Sequence, residues 1–411
     1  MSLGGRITAA YPALRRPAFA RDITAQTLSG FGTWFQLIAQ SLLVLDLTRS
    51  GRALGLMAAA QFLPTTLLSP YAGVIGDRLQ ARRVMLAVNV WACGVAIAFW
   101  ALTAAGVVNR VWIWVLAGLF GLGTTFERAV QGALLAELVP AEGRANASAL
   151  ANVSNSSGRL VGPAVAGLLY AWRGPAICFL LNAFSYLIVI VALARIRPSE
   201  LLDRPRKDTG GALSELRSGI AYVRRTPALQ APLVWNAIVG VFAFNFFSVM
   251  PAMITFVYDS GATALGVTEA LNAGAAVVGG LWIARRIEPS RHRLMLSSWG
   301  FAIGLAGSAV MPNLFTYFLW MPLFGLSFIY WITAMSALLQ VETEPAYLGR
   351  VMSLYSLGVF GSTPIGSTIA GWMIDAWSAR AAMGMGAVSM LAMAVWFSVF
   401  RNPGAASGTG G

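Results

Sequence analysis

The sequence predicts an all-α membrane protein in which twelve transmembrane helices form two parallel six-helix bundles. Composition, the spacing of apolar runs and an internal repeat support this fold class. Hydrophobic residues make up 57% of the 411 residues and charged residues only 11%, whereas soluble domains usually carry about 25% charged residues. Mean hydropathy is +0.68. Because water cannot solvate so much apolar surface, lipid must cover most of it.

Twelve runs are long enough to cross a bilayer, which takes roughly 20 mostly apolar residues. They are 24–46, 53–76, 84–105, 111–136, 147–171, 174–194, 231–256, 263–284, 293–311, 313–340, 350–374 and 380–400. Residues 1–194 therefore form one predicted six-helix bundle, and residues 231–411 form the second with a flexible tail. The polar stretch 195–230 between them is a predicted cytoplasmic linker loop, helical around 213–223.

The two predicted bundles repeat each other at an offset of about 205 residues. The ordered echoes include Gly143-Arg144 with Gly349-Arg350, Ala166-Gly167 with Ala370-Gly371, and Ala171-Trp172 with Ala376-Trp377. Six crossings return the chain to its starting side, so the two repeats run parallel.

Basic residues indicate the orientation. With the N-terminus inside, 22 of the 29 basic residues fall on the cytoplasmic side and 5 outside, a strong positive-inside bias. Both termini are therefore predicted to be cytoplasmic. The net charge of +13 spreads along a membrane rim and does not form a nucleic-acid-binding patch.

A gate motif begins at the end of the second span and continues into the loop that follows it. Its residues are Gly73, Gly76, Asp77, Arg78, Arg82 and Arg83. The segment resembles the G-x-x-x-D-R-x-x-R-R-like signature of the major facilitator superfamily. The two glycines permit close helix approach, and Asp77 is expected to meet the positive N-terminus of the eleventh helix, with Arg78 or Arg350 nearby. The arginines could instead act only as topology anchors.

A second motif lies in the fifth span, at Gly158, Gly162, Pro163 and Gly167. It resembles the superfamily's antiporter motif G-x-x-x-G-P-x-x-G-G, with Ala166 in place of one glycine. Gly158 and Gly162 form a small-xxx-small face, and Pro163 bends the helix. The resemblance favours export over import, whereas the plain alternative is a set of packing glycines.

Nearly the whole chain resembles the bacterial exporter branch that contains enterobactin-exporter-like and macrolide-efflux-like permeases. The resemblance implies a monomer in the bacterial inner membrane that exports small amphipathic molecules by proton antiport. It implies no cofactor besides the proton gradient. Many relatives carry an acidic residue near the position of Thr33, and this chain does not.

Charged residues also lie well inside the fourth and fifth predicted spans, where each costs at least about 2.5–3.5 kcal/mol and usually marks function. They are Glu127, Arg128 and Arg159. Arg128 with Gln131 resembles the superfamily's R-x-x-Q-G pattern, which is linked there to proton coupling. Glu127 is then either the proton-exchanging carboxylate or half of a permanent pair. Adjacent helical residues diverge by about 100°, so Arg159 is its expected partner.

Other polar residues give weaker expectations. Asp22 and Asp46 are expected to be solvated at the two ends of the first span, and His292 to be inert. Glu269 is a second proton site or an interfacial residue. Amphipathic ligands need apolar contact with few directed hydrogen bonds. The candidate cavity residues are Trp34, Gln36, Gln40, Asn245, Phe247, Tyr330 and Trp331.

Several function classes have little support in the sequence. Two separated cysteines and one histidine give no metal-binding pattern. The sequence also has neither a nucleophile–base set nor a G-x-x-x-x-G-K-[ST] phosphate loop. An enzyme or an ATP-driven pump is therefore not expected. An uptake permease, a lipid or lysophospholipid flippase and a non-transporting scaffold stay open as alternatives.

Overall fold

The computed structural model describes residues 11–203, 212–284 and 289–399, and its long helices follow the predicted spans. The N-terminal half contains α1 (Pro17–Thr48), α2 (Gly51–Arg78), α3 (Ala81–Ala104), α4 (Arg110–Leu138), α5 (Arg144–Arg173) and α6 (Pro175–Ala194). The C-terminal half contains α7 (Pro227–Val257), α8 (Ala262–Ala284), α9 (Arg291–Val310), α10 (Leu314–Val341), α11 (Leu348–Phe360 and Thr363–Ala376) and α12 (Ala379–Val399).

Seven of the described helices are long and apolar enough to cross a membrane on those criteria alone: α1, α3, α4, α6, α7, α10 and α12. Helices α2, α5, α8, α9 and α11 fall outside that set, and the described contacts between the halves run largely through α2, α5, α8 and α11. Helices that face protein on several sides need less apolar surface than helices surrounded by lipid.

Both halves show the same pattern of helix neighbours. In the N-terminal half, α2 packs on α4, α4 on α3, α3 on α6, α6 on α1 and α1 on α5. Adding six to each number gives the neighbours observed in the C-terminal half. The fold is therefore a pair of parallel six-helix bundles, while the exact boundaries at 194/195 and 230/231 stay a prediction.

Two helices are interrupted, which the apolar pattern did not predict. Helix α7 breaks at Phe244 and Asn245, and α11 breaks at Gly361 and Ser362. At the second break, the Thr66 hydroxyl of α2 donates to the Gly361 carbonyl at 2.9 Å. A side chain from the other half thus satisfies a backbone group freed inside the bundle.

The connection between the halves contains a linker helix, Ala212–Arg225, which confirms the helix predicted around 213–223. We call the face of the molecule on which it lies the linker face. Tyr222 stacks on Tyr347 at a centroid distance of 4.1 Å, and the Glu344 amide donates to the Tyr222 hydroxyl. The linker helix is therefore fastened to the turn that leads into α11.

The start of the linker is fastened to α1. Arg21 donates to Glu200 at 2.5 Å and to the Arg195 carbonyl at 2.9 Å. The Arg197 amide, with Arg21 close by, holds the pKa of the Glu200 carboxyl below its ordinary value. This anchor consequently remains ionised at neutral pH.

Candidate functional site

A charge interaction crosses the interface between the halves. Arg159 of α5 and Glu269 of α8 interact electrostatically, and the Asn272 side chain hydrogen-bonds Glu269. The Arg159 guanidinium also lies 5.4 Å from the centre of the Phe328 ring of α10. The prediction that Arg159 pairs with Glu127 is therefore wrong. Helix α5 packs on α8, so Arg159 faces a carboxylate of the other half.

Glu127 and Arg128 form a second charged group, on α4. Arg128 acts electrostatically on Glu127, whereas Arg159 acts on Glu269. The Arg128 guanidinium lies 5.4 Å from the centre of the Phe360 ring at the end of the first α11 segment. Arg128 is exposed although it lies deep in a transmembrane helix, which places it beside open space between the halves.

The acidic residues at the two ends of α1 differ. Asp46 is exposed, as expected, and accepts a hydrogen bond from the Tyr170 hydroxyl at 2.5 Å. Asp22 is only 8% exposed, so the expectation that it is solvated is wrong. Helix α1 begins at Pro17, earlier than the apolar run, and this extra length carries Asp22 between α4 and α5.

Four of the predicted cavity residues are buried within a bundle and do not line an open cavity. Gln36 accepts from the Asn182 amide at 2.6 Å, and Gln40 donates to Gln61. Asn245 donates to a backbone carbonyl at the α7 break, and Trp331 is fully buried. In an apolar interior, polar side chains pair with one another because an unpaired one is costly.

The other aromatic candidates fit a site between the halves better. Trp34 of α1 and Phe247 of α7 stack at a centroid distance of 6.4 Å, and Phe62 of α2 lies 5.5 Å from Phe247. All three rings thus meet at the centre of the interface. Tyr330 is half-buried on α10.

The gate motif is only partly described. A Cβ atom at Gly76 would lie 3.3 Å from Val130 of α4, whereas nothing lies within 4 Å of one at Gly73. The close approach predicted for Gly73 is therefore wrong, because that side of α2 faces open space. The Asp77 side chain lies outside the described residues, so its docking on α11 stays a prediction. Arg350, its predicted neighbour, lies over Tyr347 at 5.3 Å.

The arginines of the gate motif have different surroundings. Arg78 and Arg83 are exposed on the linker face. Arg82 instead donates to the Leu193 and Ala194 carbonyls at the end of α6, at 2.8 and 3.2 Å. It fastens α3 to α6 inside one half and does not reach the other half.

A buried carboxylate that sequence reasoning missed supports this corner. Glu137, at the end of α4, accepts from the backbone amides of Ala81 and Arg82 at 2.8 and 3.2 Å. It caps the N-terminus of α3, where a carboxylate is stabilised by the free amides and the helix dipole. The sequence signal that could have identified Glu137 was an acidic residue directly after the fourth predicted span.

The glycines of the α5 motif bring three helices together. A Cβ atom at Gly158 would lie 3.2 Å from the Gly30 backbone of α1, and one at Gly162 would lie 2.6 Å from Trp34. Gly167 packs on α8 in the other half, where a Cβ would lie 3.3 Å from Gly266. Pro163 is buried in the same contact. The motif thus determines how closely α5 approaches both α1 and α8.

On the face opposite the linker, a carboxylate of α11 caps α2 across the interface. Asp375 accepts from the Gly51 amide at 2.5 Å, the Arg52 amide at 3.1 Å and the Ser50 hydroxyl at 2.8 Å. The Arg52 side chain lies 3.8 Å from the same carboxylate. We call this arrangement the Asp375 latch. Sequence reasoning missed it.

Glycines close the same face below the latch. A Cβ atom at Gly371 of α11 would lie 3.1 Å from the Gly55 Cα of α2, and one at Gly266 of α8 would lie 2.6 Å from the Pro163 carbonyl of α5. The two halves therefore touch backbone to backbone along α2–α11 and α5–α8. This leaves little room for a ligand to pass on that side.

Comparison with known proteins places these features in a family. Residues 8–408 match the profile of a major facilitator family described as transmembrane secretion effector. Macrolide efflux protein A of Streptococcus pyogenes is 26% identical over 80% of this chain and 82% of its own length. Multidrug efflux pump Tap of Mycolicibacterium fortuitum is 26% identical over 86% of this chain and 88% of its own length. Enterobactin exporter EntS of Shigella flexneri is 26% identical over 88% of this chain and 85% of its own length.

Solved structures share the fold at low sequence identity. A mutant of the nucleoside transporter NupG superposes with a TM-score of 0.75 at 12% identity, covering 94% of this chain and all of NupG. A second match is a bacterial homologue of the human lysosomal transporter Spinster in an inward-facing and unoccupied conformation. It superposes with a TM-score of 0.70 at 12% identity, covering 94% of this chain and 95% of the homologue.

Proposed function

Because the chain belongs to the transmembrane secretion effector family of the major facilitator superfamily, we propose that it exports small amphipathic molecules by proton antiport. The family consists of transporters, not enzymes, and the named relatives export macrolides, other drugs and a siderophore. The substrate class follows from those relatives and from the central aromatic contact of Trp34, Phe62 and Phe247.

One observation carries the proton coupling: embedded charges of each half act on the other half. Arg159 interacts with Glu269 across the interface, and Arg128 reaches Phe360. Neutralising a carboxylate in such a group changes the attraction between the halves, because the opposing arginine then loses its counter-charge. Proton binding and the relative position of the halves are thereby linked.

The closed opposite face supports an alternating-access cycle. The Asp375 latch and the glycine contacts hold α2 on α11 and α5 on α8, while Arg128 lies beside open space. With the linker face cytoplasmic, as the arginine distribution predicts, this conformation is inward-facing. Substrate then enters from the cytoplasm and leaves after the latch opens.

The test uses proteoliposomes that contain the purified chain and a pH-sensitive dye. Lipophilic cations, macrolides and catecholate siderophores are added in turn, and proton movement is recorded. Glu127→Gln should abolish substrate-evoked proton movement and retain ligand binding, because the amide cannot exchange a proton. Glu142→Gln, an exposed residue of the α4–α5 connection, is the matched control and should behave as the unaltered chain. Efflux that still follows the pH gradient in Glu127→Gln would show that Glu127 is structural.

Lipid translocation is a second candidate, favoured by an apolar groove on the N-terminal half. The groove has a volume of about 420 Å³ and lies between α1, α5 and α6. Its lining includes Phe31, Phe35, Val165 and Phe184, which suit an acyl chain. Movement of a fluorescent lysophospholipid across the same proteoliposomes, without proton movement, would favour this function over antiport.

A further inference from the structure

A small cavity inside the N-terminal half is bordered by a buried carboxylate. It lies between α1, α4 and α5 near the linker face, and its volume of about 20 Å³ gives room for one water molecule or one small ion. Its polar lining comes from Asp22, Gln26, Gln131, Ser154 and Asn155. Asp22 is only 8% exposed, and its Oδ1 atom has no hydrogen-bond partner among the described residues. A buried polar atom of this kind calls for a ligand.

Hydrogen bonds around the cavity leave oxygen atoms free to contact a positive charge. Thr27 donates its only hydroxyl hydrogen to the Ile23 carbonyl at 2.7 Å, so Ser154 is the donor in the 2.8 Å hydrogen bond between the Thr27 and Ser154 hydroxyls. The lone pairs of Ser154 can therefore still accept. Gln26 hydrogen-bonds the Asp22 carboxylate, and only its amide nitrogen can donate to a carboxylate. The Gln26 carbonyl oxygen is thus left for another partner.

The charge of Asp22 has no basic partner within the part of the chain that the structure describes. The adjacent Arg21 is held by Glu200 and by the Arg195 carbonyl, and neither of the described ion pairs includes Asp22. An ionised carboxylate without a partner is costly to bury. A water molecule would fill the cavity and leave the charge in place, whereas a proton would neutralise the carboxylate and leave the cavity to be filled. A small cation does both at once.

The chemistry of the lining indicates which cation fits. Oxygen and amide groups supply its polar atoms, and neither histidine nor cysteine is among its residues, which disfavours soft transition metals. Mg²⁺ retains several waters of its own, for which this volume leaves no room, and the affinity of Ca²⁺ sites depends on the number of charged ligands. One carboxylate with neutral oxygens therefore suits a monovalent ion of the size of Na⁺.

We propose that this cavity is a sodium-binding site. Oδ1 of Asp22 supplies the negative charge, and side-chain oxygens of Gln26, Gln131 and Ser154 complete the coordination. Asp22 and Gln26 lie one turn apart on α1, Gln131 lies on α4 and Ser154 on α5. The bound ion therefore joins three helices of the N-terminal half. The site adds a second ion to the proposed function and does not depend on proton antiport.

The cavity is open to an ion from outside the bundle. Asn155, on its edge, is exposed, so the lining is not sealed from the surroundings. Gln131 follows Arg128 by three residues on α4 and shares its side of the helix, and Arg128 lies beside open space between the halves. The polar end of the cavity thus adjoins the water-filled region, while Phe19 and Leu134 cover its apolar end.

Sodium binding to the purified full chain tests the site without a transport substrate. Radioactive sodium is titrated at pH 8, with choline chloride holding the ionic strength constant. The unaltered chain should bind sodium at a single saturable site. Asp22→Asn should raise the dissociation constant about tenfold or more, because the amide keeps the shape and removes the charge. Asp46→Asn, at the exposed end of the same helix, is the matched control and should bind as the unaltered chain does.

A second variant and a second measurement separate lost binding from lost folding. Ser154→Ala keeps the carboxylate and removes one oxygen, so it should weaken sodium binding by less than Asp22→Asn does. Sodium should raise the thermal unfolding midpoint of the unaltered chain above its value in choline, since the ion binds the folded state. In Asp22→Asn this rise should disappear. Its midpoint in choline should equal or exceed that of the unaltered chain, because no unpaired charge remains buried.

Three results would overturn the sodium site. If the unaltered chain binds no sodium and is equally stable in sodium and choline, the cavity holds only water or Asp22 holds only a proton. If Asp22→Asn binds sodium as tightly as the unaltered chain, the ion lies elsewhere. If Asp46→Asn weakens binding as much as Asp22→Asn, the effect is one of general charge. Because no transported molecule enters these experiments, their result is independent of the outcome of the proton-movement test.

Discussion

Arg159 and Glu269 show how strongly the role of one residue depends on its partner. Each lies in a helix of a different half, and each would be an uncompensated charge without the other. Removing one member of a fully buried ion pair typically costs about 3–5 kcal/mol, whereas replacing both by apolar residues of similar volume can be neutral. Arg159 and Glu269 are half-buried, so we expect a smaller cost here. We therefore expect the pair to contribute more to the specificity of the contact between the halves than to net stability.

Glu269→Gln should lower the thermal unfolding midpoint of the purified protein, since Arg159 then remains charged without a counter-ion. The double change Glu269→Gln with Arg159→Met should recover most of that loss. Tryptophan fluorescence during heating in detergent measures both. A double variant that is as unstable as the sum of the single variants would show that the two side chains do not interact.

The sequence identified the embedded charges but not their partners. Glu127, Arg128 and Arg159 stand out because each is a charge within an apolar run. The pairing of Arg159 with Glu269 depends on the packing of α5 on α8, which no local pattern encodes. Gln36 and Gln40 were misassigned for the same reason, because α1 contacts several helices and the pattern does not say which side faces the interface.

At the scale of helices, carboxylates cap the N-termini of neighbours in two places. Glu137 caps α3 within the N-terminal half, and Asp375 caps α2 from the other half. The same chemistry therefore joins helices within one half in the first case and joins the two halves in the second; only the second contact has to separate in the proposed cycle. The Asp77 side chain was predicted to make a third such contact at the linker face.

Asp375→Ala should loosen the opposite face, because three donors at the start of α2 lose their acceptor. The reporter is Ile374→Cys in a chain whose Cys93 and Cys178 are replaced by alanine. The measurement is the rate at which an impermeant maleimide modifies this cysteine. The rate should rise about tenfold, the equivalent of roughly 1.4 kcal/mol. Asp46→Ala removes an acidic residue of the same face that bonds within one half, and it should leave the rate unchanged. An unchanged rate in Asp375→Ala would refute the latch.

For the whole molecule, the apolar runs and the repeat predicted the fold well. The predicted spans match the observed helices within a few residues at most ends, and the parallel repeat reappears as matching helix neighbours. The breaks in α7 and α11 were not predictable. Their freed backbone groups find partners only through tertiary contacts, as Thr66 does for Gly361.

Orientation remains a prediction for the whole molecule, and cysteine labelling in intact cells tests it. Val107, in the exposed α3–α4 connection, should be accessible to an impermeant maleimide as Val107→Cys, because the basic residues place that loop outside. His292→Cys, on the exposed start of α9, should react only after the cells are opened. The reverse pattern would invert the membrane topology and make the linker face external.

The way in which the opposite face is closed has a consequence for the driving force. The contact uses backbone against backbone at glycines and a few hydrogen bonds to one partly exposed carboxylate, and each such bond contributes about 0.5–1.5 kcal/mol net. One unit of pH difference is worth about 1.4 kcal/mol per proton. The free energy of the hydrogen bonds that close the opposite face and the free energy of one proton moving across one pH unit are thus of the same order. Under the antiport proposed above, an ordinary bacterial proton gradient would be large enough to shift the population from this conformer to one in which the opposite face is open.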